Sequence, residues 1–234
     1  MNRPKIICHI LQSVDGNIDG NFFAMPELRP AYQAFTRIRE EYACDAVISG
    51  ATTAAEIYAN SPADNLPEVQ ETYSRTDWQA AKADKYAVII DGEGMISWQS
   101  GMVERRGDKM HVVTILQENA SDAYIAQLRQ AGVSYVFAGK ESLDLPLAVR
   151  KLKEQFGIEK MLLSGGGIVD WAFLQTGLID EISLIIPPVI DGGTGPASAF
   201  DDSVFAENHS SKALSLIDVQ RLDEDCIWLR YQTK

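Results

Sequence analysis

The chain has 234 residues, 46% of them apolar, and a formal net charge of −12. That content can bury one substantial core, and α/β folds of this length commonly stay undivided, so one domain over residues 1–234 is expected. The acidic balance excludes a nucleic-acid surface, which needs a concentrated basic stripe, but not a small anionic ligand, because distant charges are screened beyond about 8 Å.

Lys5 to Leu11 is an apolar run that predicts a buried first strand. Pro30 to Tyr42 predicts a helix with Phe35, Ile38 and Tyr42 on one face, and Ala46 to Ser49 a second strand. Ala59 to Thr76, with Pro62 and Pro67 among polar residues, predicts an irregular excursion before the Trp78 to Lys85 stretch. Tyr86 to Asp91 and Met110 to Leu116 are further strands separated by a glycine-containing loop. Ser121 can cap a helix to Ala131, stopped by Gly132, and Val133 to Ala138 follows as a strand. Asp144 caps a helix through Phe156, with Pro146 in its first turn, Leu145, Val149, Leu152 and Phe156 at helical spacing, and Gly157 at its end. Met161 to Leu163 is a strand, Gly165 to Gly167 a bare turn, and Ile168 to Gln175 a helix stopped by Gly177. Ala213 to Leu222 and Cys226 to Gln232, joined across Asp223-Glu224-Asp225, read as an antiparallel hairpin closing a mostly parallel sheet flanked by helices.

No apolar run is long enough to cross a bilayer, and the start Met-Asn-Arg-Pro-Lys lacks a signal peptide's core, so a cytoplasmic protein is expected. Cys8, Cys44 and Cys226 are too scattered for a zinc site or a disulfide framework, and His9, His111 and His209 have no metal-ligand neighbours, so no metal is expected. The triple glycine removes side chains at a strand's carboxyl end, where the free N–H groups and dipole of the following helix attract an anion. Three glycines also let a helix pack tightly against its sheet, and the glycines alone do not choose between these uses. A dinucleotide fingerprint of the Gly-x-Gly-x-x-Gly type fails from Gly165 because Asp170 stands at its third glycine, and from Gly92 because Ser97 does. No P-loop and no Gly-x-Ser-x-Gly elbow is present.

The ordered string from Lys160 to Gly193 resembles the reductase domain of riboflavin biosynthesis, within the dihydrofolate reductase-like superfamily. That family carries a strand ending in Gly-Gly, a short helix, a Gly-Leu-Ile/Val-Asp-Glu step and Pro-Val-Ile/Leu-x-Gly; here these are Gly165 and Gly166, Gly177 to Glu181, and Pro188 to Gly192. Ser13-Val14-Asp15-Gly16 is similar to the family's Ser-x-Asp-Gly, and Gly50 with Thr53 to its Gly-x-x-Thr.

The resemblance implies a single-domain, dihydrofolate reductase-like α/β fold without a deaminase domain. It implies reduction of 5-amino-6-(5-phosphoribosylamino)uracil to the ribityl product with hydride from NADPH, NADH remaining open, in a protein that commonly pairs as a homodimer. Ser164, Gly165, Gly166, Gly167 and Ile168 would meet the cofactor, with Gly50, Thr52 and Thr53 lining another part of it. A threonine after a strand also serves as a helix cap, and this alternative stays open for Thr52. Asp15 would contact substrate or deliver a proton, unless its Asp-Gly pair merely turns; Glu181 would orient the cofactor or a backbone N–H; Ser13 and Glu56 would meet substrate.

Two departures matter for substrate. The family's Asp-x-Pro-x-Leu-x-x-Arg stretch reads Ala-Ala-Glu-Ile-Tyr-Ala-Asn-Ser-Pro from Ala54 to Pro62, with Glu56 one residue out of register for the missing acid. The family's glutamate before Gly-Gly is Ser164. The strand ending at Asp91 leads to Gly92-Glu-Gly94, with no arginine there for a 2′-phosphate. Reduction of another heterocycle, carbonyl or imine, and a nucleotide-binding module without catalysis, are the alternatives.

Overall fold

Each long apolar run forms a strand, and each capped amphipathic stretch a helix. The structure, a computed structural model, describes residues 2–58, 62–63, 66, 68–193, 195, 197–202 and 210–234; Ala59, Asn60, Ser61, Pro67 and His209 lie outside the described residues. In chain order the elements are β1 (Lys5–Leu11), α1 (Arg29–Tyr42), β2 (Ala46–Gly50), α2 (Ala51–Tyr58), β3 (Tyr86–Ile90), β4 (Met102–Arg105), β5 (Asp108–Leu116) and α3 (Asp122–Ala131). Then come β6 (Ser134–Phe137), α4 (Leu145–Phe156), β7 (Lys160–Leu163), α5 (Gly167–Gln175), β8 (Glu181–Ile186), β9 (Leu214–Arg221) and β10 (Ile227–Thr233). Short 3-10 turns occupy Asn21–Ala24, Pro26–Leu28 and Asp223–Asp225. This is the expected α/β class, with parallel strands flanked by helices and a C-terminal antiparallel hairpin.

The caps act as expected. Ser121 Oγ accepts the Tyr124 N–H at 3.2 Å, and Gly132 ends α3 at φ 72°. Asp144 Oδ1 accepts the Leu147 N–H at 2.8 Å, and Gly157 ends α4 at φ 71°. α1 ends instead on Ala43 at φ 47°, a left-handed conformation disfavoured for a residue with a Cβ.

The chain forms two compact units, residues 1–4 with 45–161, and residues 5–44 with 162–234; β7 straddles the division. In the first, β2 pairs parallel with β3, β3 with β5, and β5 with β6. The glycine-containing loop expected before Met110 is in part a hairpin, because β4 pairs antiparallel with the first half of β5. Its turn needs two left-handed residues and finds them in Arg106 (φ 52°) and Gly107 (φ 85°). The core here gathers Trp98, Met110, Tyr124, Leu128, Tyr135 and Phe137. Trp78 exchanges two backbone hydrogen bonds of 2.9 Å with Tyr135, so the start of the Trp78 to Lys85 stretch covers the edge of β6. Arg129 lies 5.1 Å from the Tyr73 ring centre and 5.3 Å from that of Trp78, holding the segment down.

In the second unit β1 and β8 run parallel, from Ile7 opposite Glu181 to Leu11 opposite Ile185, and the β9–β10 hairpin joins β8 antiparallel. α1 buries Ala31 and Ile38 against Leu11, Ile185 and Val189, with Phe35, Tyr42 and Trp228 partly buried around them. His9 is locked in this layer. Its Nε2 lies 3.0 Å from the Phe35 carbonyl, which only accepts, so Nε2 carries the proton and Nδ1 accepts from Ser183 Oγ at 3.0 Å. Trp228 Nε1–H donates to the same hydroxyl at 2.8 Å. Burial pushes His9 down to about 4, so the ring is neutral at pH 7 and structural.

Candidate active site

The parallel pairing of β1 and β8 brings their carboxyl ends together, which is where ligands meet open α/β sheets. The Ser-Val-Asp-Gly segment follows β1 and the Pro-Val-Ile-Asp-Gly segment follows β8, and the two are zipped: Val14 N–H reaches the Val189 carbonyl at 2.8 Å, and Ile18 N–H the Ala197 carbonyl at 2.9 Å. Asp15 fastens them. Its Oδ1 accepts the Ser13 hydroxyl at 2.5 Å and the Asp191 N–H at 3.2 Å, while Oδ2 accepts the Gly192 N–H at 2.8 Å.

Three donors on one carboxylate have a chemical consequence. The Ser13 hydroxyl and the Gly192 amide hold the Asp15 carboxyl down at about 2, which favours its anionic form at neutral pH. In the structure it clamps the two loops together. Ser13 is fully buried, its hydroxyl also accepting the Asn17 N–H at 3.0 Å, and so it closes the turn. Asp15 itself remains exposed.

Asp191, unremarked in the sequence, repeats the device. Its Oδ1 accepts the Phe22 N–H and its Oδ2 the Gly193 N–H, each at 3.2 Å. Gly20 makes room for it: a Cβ there would lie 2.7 Å from the Asp191 carboxyl carbon, and the backbone sits at φ 137°. The Asp-Gly pair at 191–192 was the only available sign of this second clamp.

The triple glycine follows β7. Gly166 is the N-cap of α5 in extended backbone, with no side-chain cap bond, and the first helical N–H to close internally is that of Asp170, on Gly166 O at 3.1 Å. The amides at the start of α5 therefore find no partner inside the helix, the arrangement that receives an anion elsewhere. The neighbouring glycines also pack. A Cβ on Gly165 would lie 2.8 Å from both Asp170 Oδ1 and Val169 Cβ, and one on Gly167 would strike the Ser198 carbonyl and lie 2.6 Å from Asp201 Oδ2. Ser198 and Asp201 form their own cap beside the helix, the Ser198 N–H reaching Asp201 Oδ2 at 2.9 Å. The packing reading holds at Gly165 and Gly167, and Gly166 begins the helix without a side-chain cap. Ser164 and Gly166 are half-buried and Ile168 exposed, so the rim is within a ligand's reach. A side-chain-free strand end and an uncapped nine-residue helix suit the diphosphate of a nucleotide cofactor.

Glu181 stands elsewhere. It opens β8, opposite Ile7, and the six residues of that strand place it roughly 16 Å from the carboxyl end. Its Oε1 accepts Tyr42 OH at 2.7 Å and Arg230 Nε–H at 2.8 Å, and its Oε2 accepts Lys5 Nζ at 3.2 Å. In the structure it is the anchor of an ion-pair network. Its carboxyl lies below the ordinary range even though burial, the largest single influence, opposes this, because the three hydrogen bonds with Arg230, Tyr42 and Lys5 together outweigh the burial.

The remaining expected residues belong to the first unit. Gly50 ends β2 and α2 starts at once, with exposed Thr52 and half-buried Thr53 in its first turn and exposed Glu56 one turn beyond Thr52. Thr52 lies inside the helix rather than at its N-cap. Asp91, after β3, is turned inward: Oδ1 accepts the Met95 N–H at 2.7 Å, and Oδ2 the Ile96 N–H at 3.1 Å and Tyr124 OH at 2.7 Å. It is not free to meet a ribose hydroxyl.

The 2,5-diamino-6-ribosylamino-4(3H)-pyrimidinone 5′-phosphate reductase of Methanothermobacter thermautotrophicus is 27% identical over 231 residues, covering 96% of each chain. A pyrimidine reductase-like protein of Corynebacterium diphtheriae superposes with a TM-score of 0.68 at 18% identity, over 100% of this chain and 93% of its own. The riboflavin biosynthesis reductase of Saccharomyces cerevisiae gives a TM-score of 0.59 at 13% identity, over 100% of this chain and 91% of its own. The sequence model of the RibD C-terminal domain matches residues 4–228, across both units, and the chain belongs to that family.

Proposed function

We propose that the protein is an NADPH-dependent reductase of a phosphorylated ribosylaminopyrimidine in riboflavin biosynthesis, acting as one reductase domain in the cytosol. The observation that carries this is the family match from residue 4 to 228, with the uncapped glycine turn and the clamped loops lying at strand carboxyl ends within it. The relative from Methanothermobacter is named for the 2,5-diamino pyrimidinone, which keeps an amino group where the uracil expected from the sequence has an oxygen. We therefore take the diamino compound as the substrate and the uracil as the competitor to test.

Bound NADPH supplies hydride to the sugar carbon of the substrate. The chain's part is to bind, orient and exclude. Gly166 to Ile168 offer backbone N–H groups to a diphosphate, Gly165 and Ser164 line the turn beside them, and exposed Ile168 adds an apolar rim. Asp15, anionic and held by two backbone amides, is a fixed hydrogen-bond acceptor for substrate hydroxyl or amino groups. The β2–α2 start presents the same kind of donors, and Gly50, Thr52, Thr53 and Glu56 keep the ligand roles that the resemblance implies. NADPH over NADH is favoured by Asp91. An acid at such a strand end takes the ribose hydroxyls in NAD-binding sheets, and here it is consumed by a turn and is not free to take them.

A homodimer suits the outer strand. β9 exposes Leu216, Ile217 and Val219 and pairs with β10 alone among the described strands. The functional test is turnover: loss of NADPH absorbance on adding the diamino pyrimidinone phosphate, and a slower rate with the uracil and with NADH. No turnover with either pyrimidine, at saturating NADPH, would remove the assignment.

A further inference from the structure

Beneath the glycine turn lies a carboxyl group that nothing above has used. Asp170, in the first turns of α5, is only 1% exposed. Its Oδ1 has no hydrogen-bond partner among the described residues and points at Gly165, 2.8 Å from where a Cβ there would stand. The Gly165 N–H and the thiol of Cys8, a buried free cysteine on β1, both bond to the carboxyl group. A buried polar atom left unpaired costs free energy, and where one persists it marks a place shaped by something other than packing. Here it backs directly onto the start of α5, where no side chain caps the helix.

We propose that Asp170 is a positioning residue: wedged between Cys8 of β1 and the Gly165 backbone, it sets the direction of the turn's N–H groups for the diphosphate of the cofactor. This rests on the reading of the turn as the diphosphate site. The wedge explains why Gly165 has no side chain, since Asp170 fills that space. Burial pushes the carboxyl well above its usual range, and in the protonated form it adds no negative charge below a bound anion. The same burial, with Asp170 beside it, raises the Cys8 thiol, which is therefore a packing partner and not a nucleophile.

The test is calorimetric titration with NADPH together with steady-state kinetics on three variants. Asp170→Asn, neutral and of the same shape, keeps NADPH affinity within about threefold, whereas Asp170→Leu, apolar and of similar size, weakens it about tenfold or more and raises KM for NADPH with kcat nearly unchanged. Thermal melts establish that the variants fold, and Asp170→Ala replaces the leucine variant if that one does not. Gly166→Val, tolerated by the extended backbone at that residue, reports on the site itself. Wild-type affinity in the leucine and alanine variants, or an asparagine variant as weak as either, overturns the proposal while Gly166→Val still weakens binding. Unchanged affinity in Gly166→Val would instead overturn the reading of the turn on which the proposal stands.

Discussion

Replacing Glu181 separates anchor from active-site residue. The carboxylate is 4% exposed and pairs with Arg230, 27% exposed, and Lys5, 52% exposed. Removing one member of a fully buried pair costs about 3–5 kcal/mol, because the survivor is left charged and unpaired. Arg230 and Lys5 are partly wet, which discounts that range to about 2 kcal/mol for Glu181→Gln, the amide still serving Tyr42. For a chain of this size that is a fall in Tm of roughly 4–8 °C. The folded pKa lies below the unfolded one, so this contribution is full above about pH 4.5 and fades as acidification passes through the lowered folded value. Thermal melts at pH 7 and pH 4 measure it, and kcat and KM for NADPH should match wild type at temperatures where the variant is folded. A kcat loss of tenfold or more with an unchanged Tm would refute the reasoning and return Glu181 to the chemistry.

Three further outcomes follow from single residues. His9, at about 4 in the fold against 6.5 unfolded, favours the folded state only when neutral, so its contribution is complete above pH 6.5 and about 2 kcal/mol of it is gone at pH 5. Urea unfolding of wild type and His9→Gln at both pH values should show that slope in wild type alone; equal slopes would contradict it. Asp15→Asn should raise the substrate KM and speed proteolysis around Asp191 and Gly192 while leaving the shape of the kcat–pH profile unchanged; loss of a profile limb would make Asp15 a proton carrier after all. Ala43→Gly should raise stability by about 0.5–1 kcal/mol by relieving the left-handed C-terminal residue of α1, read as a higher urea midpoint; no gain would mean that the backbone there is unstrained.

Much of the fold was legible because its signals are local. Ser121, Gly132, Asp144 and Gly157 delimit α3 and α4 by hydrogen bonds and left-handed backbone within a turn of the helix end, which a sequence displays directly. β4 was missed because four residues, Met-Val-Glu-Arg, carry too short an alternation, and its turn uses an arginine in a conformation usually taken by glycine or asparagine. In the site, the glycine turn was visible as a composition break, but the fates of carboxylates were not. Asp15, Asp91, Asp170 and Glu181 are chemically alike in sequence and differ only in what tertiary structure brings to them: two loop amides, a turn and a tyrosine, a thiol in the core, an arginine on the next strand. Asp191 and Asp201 act across loops distant in sequence from their partners or from the glycines they crowd, so no local pattern announced them.

A structure of the protein with NADPH bound tests the central assignment most directly. Diphosphate oxygens at hydrogen-bonding distance, about 2.7–3.2 Å, from the N–H groups of Gly166, Gly167 or Ile168 are the expected result. NADPH bound with its diphosphate away from α5, and the glycine turn in contact only with its own chain, would contradict it.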